Sequence, residues 1–216
     1  MKGLFSPDSK FSLFLIKIGY LLVLSWIWLL FSLPVFTIGA ASSALYVVIR
    51  KVLREEEGAL LQEWWQAFRS NFKQSTVIWL ISLFVGAIFV YSLGLYQFIP
   101  NETLSGKIVF YFTVFLLGVF LVWLHVVLAY VSRFQDKLGT CMRNALLMSL
   151  MNPGLLLWVA VQVVVVGYAL IKLPLRPYLP LVMTLLPCGY CAMLIRPMET
   201  MFAKYIPQTQ ELQETK

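Results

Sequence analysis

Few residues in this chain have the types and spacing that chemistry requires. His125 is the only histidine, so no multi-histidine metal site can form within one chain. Cys188-Gly189-Tyr190-Cys191 has the Cys-x-x-Cys spacing of redox pairs, whose thiols are normally activated at the head of a soluble helix. Here the pattern follows Pro187 inside an apolar stretch, which points to packing. Three cysteines in all make no disulfide framework. No Asp or Glu falls inside an apolar span, which argues against paired catalytic carboxylates and against a proton- or cation-coupled carrier. Glu63 and Asp136 lie in inner loops, with no nucleophile or metal cluster to work beside. The chain has no Gly-rich phosphate loop, no Gly-x-Ser-x-Gly and no His-Glu-x-x-His. It reads as a non-enzyme with no cofactor and no metal.

What remains is polarity inside apolar surroundings. His125 is about six residues from the inner end of its span and Gln162 about seven from the inner end of the next, each roughly 9–10 Å deep. Ser25, Ser43, Ser82 and Cys188 fall near the same level in four other spans. These six residues predict a polar layer, with His125 and Gln162 hydrogen-bonded. The competing reading is the small-residue and hydroxyl packing common between membrane helices.

The elements that would position this layer are membrane spans. Residues 11–49 carry one charge, Lys17, in 39 positions. Hydrophobic residues make up 60% of the 216, charged residues 12%, and mean hydropathy is +0.82. No soluble domain of this size needs such a composition. It predicts an all-α, polytopic transmembrane bundle in a single domain over 1–216. Spans are expected at about 18–34, 36–50, 76–98, 108–131, 155–172 and 178–196. The second is short: roughly 15 residues reach about 22 Å, against a hydrocarbon core of about 30 Å. Five spans are the alternative, if 11–49 crosses once. No cleavable signal peptide is read, because the first apolar run lacks a small-residue cleavage site.

Charge favours six. Six spans put Lys2, Lys10, Lys17, Arg50, Lys51, Arg54, Arg69, Lys73, Arg133, Lys137, Arg143, Arg196, Lys204 and Lys216 on one side, 14 of 17 basic residues. Only Lys107, Lys172 and Arg176 fall opposite. By the positive-inside rule both termini are cytoplasmic. The net charge of +7 is thereby assigned to a membrane face near anionic lipid, and nucleic acid is not expected as a partner. Pro34 and Gly39 suit a tight outer turn. Ser6-Pro7-Asp8 suits a helix start, and 55–57 with Gly58 a helix end. Asn101-Glu102-Thr103 is read as a turn.

Between spans two and three, Leu61, Trp64, Trp65, Phe68 and Phe72 recur at helical spacing among polar residues. This predicts an amphipathic helix over about 59–74 in the cytoplasmic interface, either packed under the bundle or docking a partner. Residues 137–152 before Pro153-Gly154 look like a faint repeat of the same arrangement. Pro187 and Gly189 are expected to break or kink the sixth span.

Several segments resemble the YesL family, bacterial integral membrane proteins of uncharacterised function. They are Leu4-Phe5-Ser6, Ser32-Leu33-Pro34-Val35, Thr37-Ile38-Gly39-Ala40, Phe68, Asn71-Phe72-Lys73-Gln74 and Arg143-Asn144-Ala145-Leu146. Pro34, Thr37, Gly39, Asn71, Phe72 and Asn144 are the motif residues, and Ser25 stands where many members have Asn. The resemblance implies a bacterial cytoplasmic-membrane protein linked to carbohydrate uptake, as an accessory to a sugar ABC transporter permease or sensor kinase. A stand-alone small-solute transporter or channel, with solute passing near Ser43, His125 and Gln162, is the alternative.

Overall fold

The computed structural model describes residues 10–54, 58–96, 98, 104–134, 136–172 and 179–205. Among them every regular element is helical: α1 (Lys10–Ser32), a 3-10 turn (Val35–Thr37), α2 (Ile38–Arg54), α3 (Leu60–Tyr96), α4 (Leu104–Arg133), α5 (Leu138–Met151), α6 (Pro153–Lys172) and α7 (Leu179–Ala203). By length and composition α1, α2 with its leading turn, α3 and α4 can each cross a membrane. The α5–α6 pair, bent by 93°, adds a fifth if it is one broken span. The chain is an all-helical membrane protein. Ser6-Pro7-Asp8, residues 55–57 and Asn101-Glu102-Thr103 lie outside the described residues.

α2 is the axis of the bundle. It packs most extensively on α3 and also meets α1, α4 and α7. In consequence 61% of its span is buried by protein, against 11% of the spanning stretch of α1 or α3. Its small residues make this possible. Gly39, Ala40, Ala41, Ser43 and Ala44 are all buried and let neighbouring backbones approach. A Cβ on Gly39 would lie 2.6 Å from the Ser75 carbonyl oxygen and 2.6 Å from the Trp79 Cβ. Gly39 therefore serves α2–α3 packing from within the helix, not the turn that the sequence suggested. The turn is made by Pro34 and by Thr37, whose hydroxyl is shared between the Phe31 and Pro34 carbonyls. That supplies a donor to a carbonyl at the end of α1. Trp79 ties the turn to α3 by donating its indole N–H to the Val35 carbonyl at 2.7 Å.

The separate interfacial helix expected over 59–74 does not form. Residues 60–96 are one helix of 37 residues, about 55 Å long. No proline or glycine lies between Leu60 and Gly86 to interrupt it, so the amphipathic turns run straight into the apolar ones. The second half differs: α5 ends at Asn152, and Pro153 starts α6 at a steep angle. The suspected repeat is therefore not realised, because only the later segment holds a helix-breaking pair. Nor does Pro187 break α7, which is helical through both Pro187 and Pro197. Pro197 has no N–H for the Met193 carbonyl four residues back. The Trp158 indole of α6 points to that carbonyl at 3.4 Å.

The Gly39 geometry gives a direct test. Gly39→Ala should destabilise the protein by about 1–3 kcal/mol through overpacking, lowering Tm in detergent. Gly86→Ala, at a helical glycine with open space around it, should not lower Tm. Equal effects would contradict the close approach.

Candidate functional site

A cavity of about 320 Å³ runs along the seam between α4 and α7, with α2 as its floor. It is at the small end of the range for small-molecule pockets, about 300–1,000 Å³. Leu124, Leu128 and Ala129 line one wall, Leu186, Cys191, Leu194 and Met198 the other, and Trp28 and Trp79 flank it. Its polar groups are already engaged. Ser42 accepts the Trp28 indole N–H at 3.1 Å. The His125 Nδ1 lies 2.6 Å from the Leu121 carbonyl, and Nε2 lies 2.9 Å from the Tyr190 hydroxyl. A carbonyl can only accept, so in the neutral ring Nδ1 carries the proton and Nε2 accepts from Tyr190. Both imidazole nitrogens are thus occupied, which leaves no lone pair for a metal. Among the described residues no group of three or more His, Cys, Asp or Glu is placed to hold one.

One end of the cavity is at Tyr46 and Met198, and the Tyr46 hydroxyl there reaches Glu199. Glu199 accepts hydrogen bonds from the Tyr46 hydroxyl at 2.7 Å, Arg54 at 2.9 Å and Arg133 at 2.6 Å. Arg50 approaches to 3.9 Å. The Arg133 side chain is only 3% exposed and lies over the Phe134 and Phe202 rings, with its guanidinium carbon 5.9 and 5.6 Å from their centroids. This cluster joins α2, α4 and α7 through one carboxylate. The sequence reading missed it by ending the sixth span at 196. Leu194, Ile195, Met198, Met201 and Phe202 are buried at helical spacing, and that apolar pattern was the available sign that the helix continues and turns Glu199 inward.

The predicted polar layer is not assembled. Ser25 lies beside Cys188. Ser43 pairs with Ser75 at 3.1 Å, and Ser82 donates to the Ile78 carbonyl of its own helix. Gln162 is buried and its amide is not bonded to His125, whose ring nitrogens face Leu121 and Tyr190. Equal depth along separate helices did not imply facing orientation. Only His125 of the six lines the cavity.

The expected docking helix divides between two faces. Trp64 and Phe68 are buried, with ring centroids 4.9 and 5.2 Å from Phe31 of α1. Phe72 extends the same cluster, 5.4 Å from Phe68. Leu61 is exposed; Trp65 is 44% exposed, with its ring 5.6 Å from Phe31 and 5.7 Å from Phe68 on one side and Arg69 over it at 5.9 Å. Trp64 and Phe68 therefore belong to the core, and a partner could touch only Leu61 and Trp65 of the five. Asn144 of α5 and Gln74 of α3, far apart in sequence, meet in one network at the end of α4 and the turn that follows it. Asn144 donates to the Tyr130 hydroxyl at 3.0 Å, Tyr130 to Asp136 at 2.6 Å, and Gln74 to the Asp136 carbonyl at 2.9 Å. Asn71 lines a shallow depression with Lys51 and Glu63.

Glu199→Gln should cost about 3–5 kcal/mol, because it leaves the buried Arg133 without its carboxylate. Glu63→Gln, at the more exposed Lys51 pair of 3.0 Å, should cost about 1 kcal/mol or less. Thermal unfolding of both variants in detergent checks the contrast.

Residues 21–93, from within α1 to near the end of α3, match the model of a family described as Protein of unknown function, DUF624. No curated protein and no solved structure matches the chain.

Proposed function

We propose that the protein is a six-span component of a bacterial cytoplasmic membrane, with both termini cytoplasmic. In this reading α6 and α7 are the fifth and sixth spans, and α5 lies along the cytoplasmic interface. It acts without catalysis, as an accessory or regulator of a partner membrane system. The YesL resemblance directs that role to carbohydrate uptake, with a sugar ABC permease or its sensor kinase as partner.

The observation that carries the accessory reading is the chemistry of the interior. A sugar requires hydrogen-bonding groups for its several hydroxyls, and a site that leaves them unpaired loses affinity. The cavity here is walled by aliphatic and aromatic side chains, and Ser42, Tyr46, His125 and Tyr190 are bonded within the protein. Ser43 and Gln162, which a solute path was expected to pass, do not line it. The outer face, by contrast, offers Leu61, Trp65 and Arg69 together at the inner end of α3. Exposed aromatic and arginine side chains of this kind are common anchors for protein partners.

Affinity purification from the native host in mild detergent should recover a permease or kinase in stoichiometric amount. Leu61→Ala with Trp65→Ala should abolish that recovery while the protein still folds, with a smaller loss of Tm than Trp64→Ala causes, since Trp65 keeps 44% of its surface exposed although its ring meets Phe31 and Phe68. Wild-type protein recovered alone, and taking up solute in liposomes, would overturn the proposal in favour of an autonomous transporter.

A further inference from the structure

α5 begins and ends at the same end of the bundle. Arg133, the last residue of α4, bonds Glu199, and Asp136 follows shortly after it in the chain. The Asp136 carbonyl accepts from Gln74 of α3 at 2.9 Å. At the far end of α5, Asn152 donates to the Tyr205 hydroxyl at 3.1 Å, and the Lys204 ammonium approaches the Asn152 side-chain oxygen at 3.5 Å. Lys204 and Tyr205 continue from the end of α7, beyond Glu199. A helix of 14 residues, about 21 Å long, with both ends at one level does not cross the bundle. It lies across that end, and α6 leaves it at 93°.

The two long faces of α5 differ. Cys141, Ala145 and Ser149 recur every fourth residue and are buried against the bundle. Two hydrogen bonds hold that orientation: the Trp123 indole donates to the Met142 carbonyl at 3.1 Å, and Asn144 donates to Tyr130. The outward face carries Arg143 and then Leu146, Leu147, Leu150 and Met151, these four being between 42% and 65% exposed. The five fall within an arc of about 140°, and α5 holds no Asp or Glu. Past the bend the exposed surface stays apolar, through Pro153 to Leu157 and Val161 of α6. The two helices together are apolar enough for a membrane span. Protein interfaces surround an apolar centre with a polar rim, whereas this patch runs unbroken into the outward face of α6. Hydrocarbon suits such a surface and water does not.

We propose that α5 is a membrane-embedded interfacial helix: Leu146, Leu147, Leu150 and Met151 enter the acyl-chain boundary of the adjacent leaflet, and Arg143 lies at its headgroups. The proposal rests on the six-span reading, in which α6 crosses the bilayer, and adds what the outward face of α5 binds. An apolar helix face of this kind sinks about 5–10 Å into the boundary between headgroups and chains. The Arg143 stem can cover apolar surface there while its guanidinium stays in the polar layer.

The test places an encoded fluorescent amino acid at Leu147, Leu150 or Val164 of the full chain. Each variant is held in nanodiscs of phosphatidylcholine brominated either near the headgroup end or near the tail end of its chains. All three positions are exposed, so the label displaces no core side chain. Val164 lies about 16 Å along α6 from Pro153, close to mid-bilayer. Labels at 147 and 150 should be quenched more by bromine near the headgroup, and the label at 164 more by bromine near the tail end. No quenching at 147 and 150, with quenching at 164, would overturn the proposal and leave the six-span reading standing. The α5 face would then meet water or a second copy of the chain. Strongest quenching at 147 and 150 by tail-end bromine would overturn it in favour of a re-entrant hairpin. No quenching at 164 by either lipid would overturn the six-span reading, and the proposal with it.

Discussion

A carboxylate at one end of an apolar bundle is tolerable only when its charge is met on the spot, and Glu199 imposes that condition on three helices. It can accept from Tyr46 and Arg54 only if α2 lies against α7, and from Arg133 only if α4 ends at the same level. The cost of leaving either the carboxylate or the buried guanidinium alone is several kcal/mol. The cluster therefore acts as a register pin: sliding any of the three helices by one turn separates the charges. Small residues on α2 then allow the remaining neighbours to close around it, as Gly39 does against Ser75 and Trp79.

This pin also accounts for the cavity. α4 and α7 are joined by long side chains, Arg133 to Glu199 at one end and His125 to Tyr190 farther along. These pairs are eight and nine residues apart on their helices, or about 12–14 Å. Bridges made by extended side chains hold backbones farther apart than interleaved small residues do. Between and around them the seam is lined by leucines, Ala129 and Met198 that do not fill it. An apolar gap with satisfied polar edges suits a hydrocarbon better than a sugar.

Much of the architecture was legible because apolar length is a strong signal. The helical class, the membrane environment, the α1–α2 turn at Pro34 and the angle at Asn152-Pro153 all follow from runs of apolar residues and their breakers. Helix ends and facing directions were less so. The change from an amphipathic to an apolar pattern near 74–76 suggested a helix boundary that the backbone does not need, and α3 runs through it. Arg196 suggested the end of the last span, although Met198, Met201 and Phe202 continue the buried stripe. Depth along each span could be counted from the chain, but rotation about each axis could not. Hence His125 meets Tyr190 instead of Gln162, and Trp64 is buried while its neighbour Trp65, which also touches Phe31, keeps 44% of its surface exposed.

The most direct test of the register pin is a double-mutant cycle on Tm in detergent, with Glu199→Leu, Arg133→Met and the two combined. The account predicts that each single change destabilises strongly. It predicts that the pair costs less than their sum, with a coupling of about 1–3 kcal/mol, because Arg133, the most buried of the cations around Glu199, is then no longer left without its carboxylate. Additive effects would contradict it, and the order of α2, α4 and α7 would then have to rest on apolar packing alone.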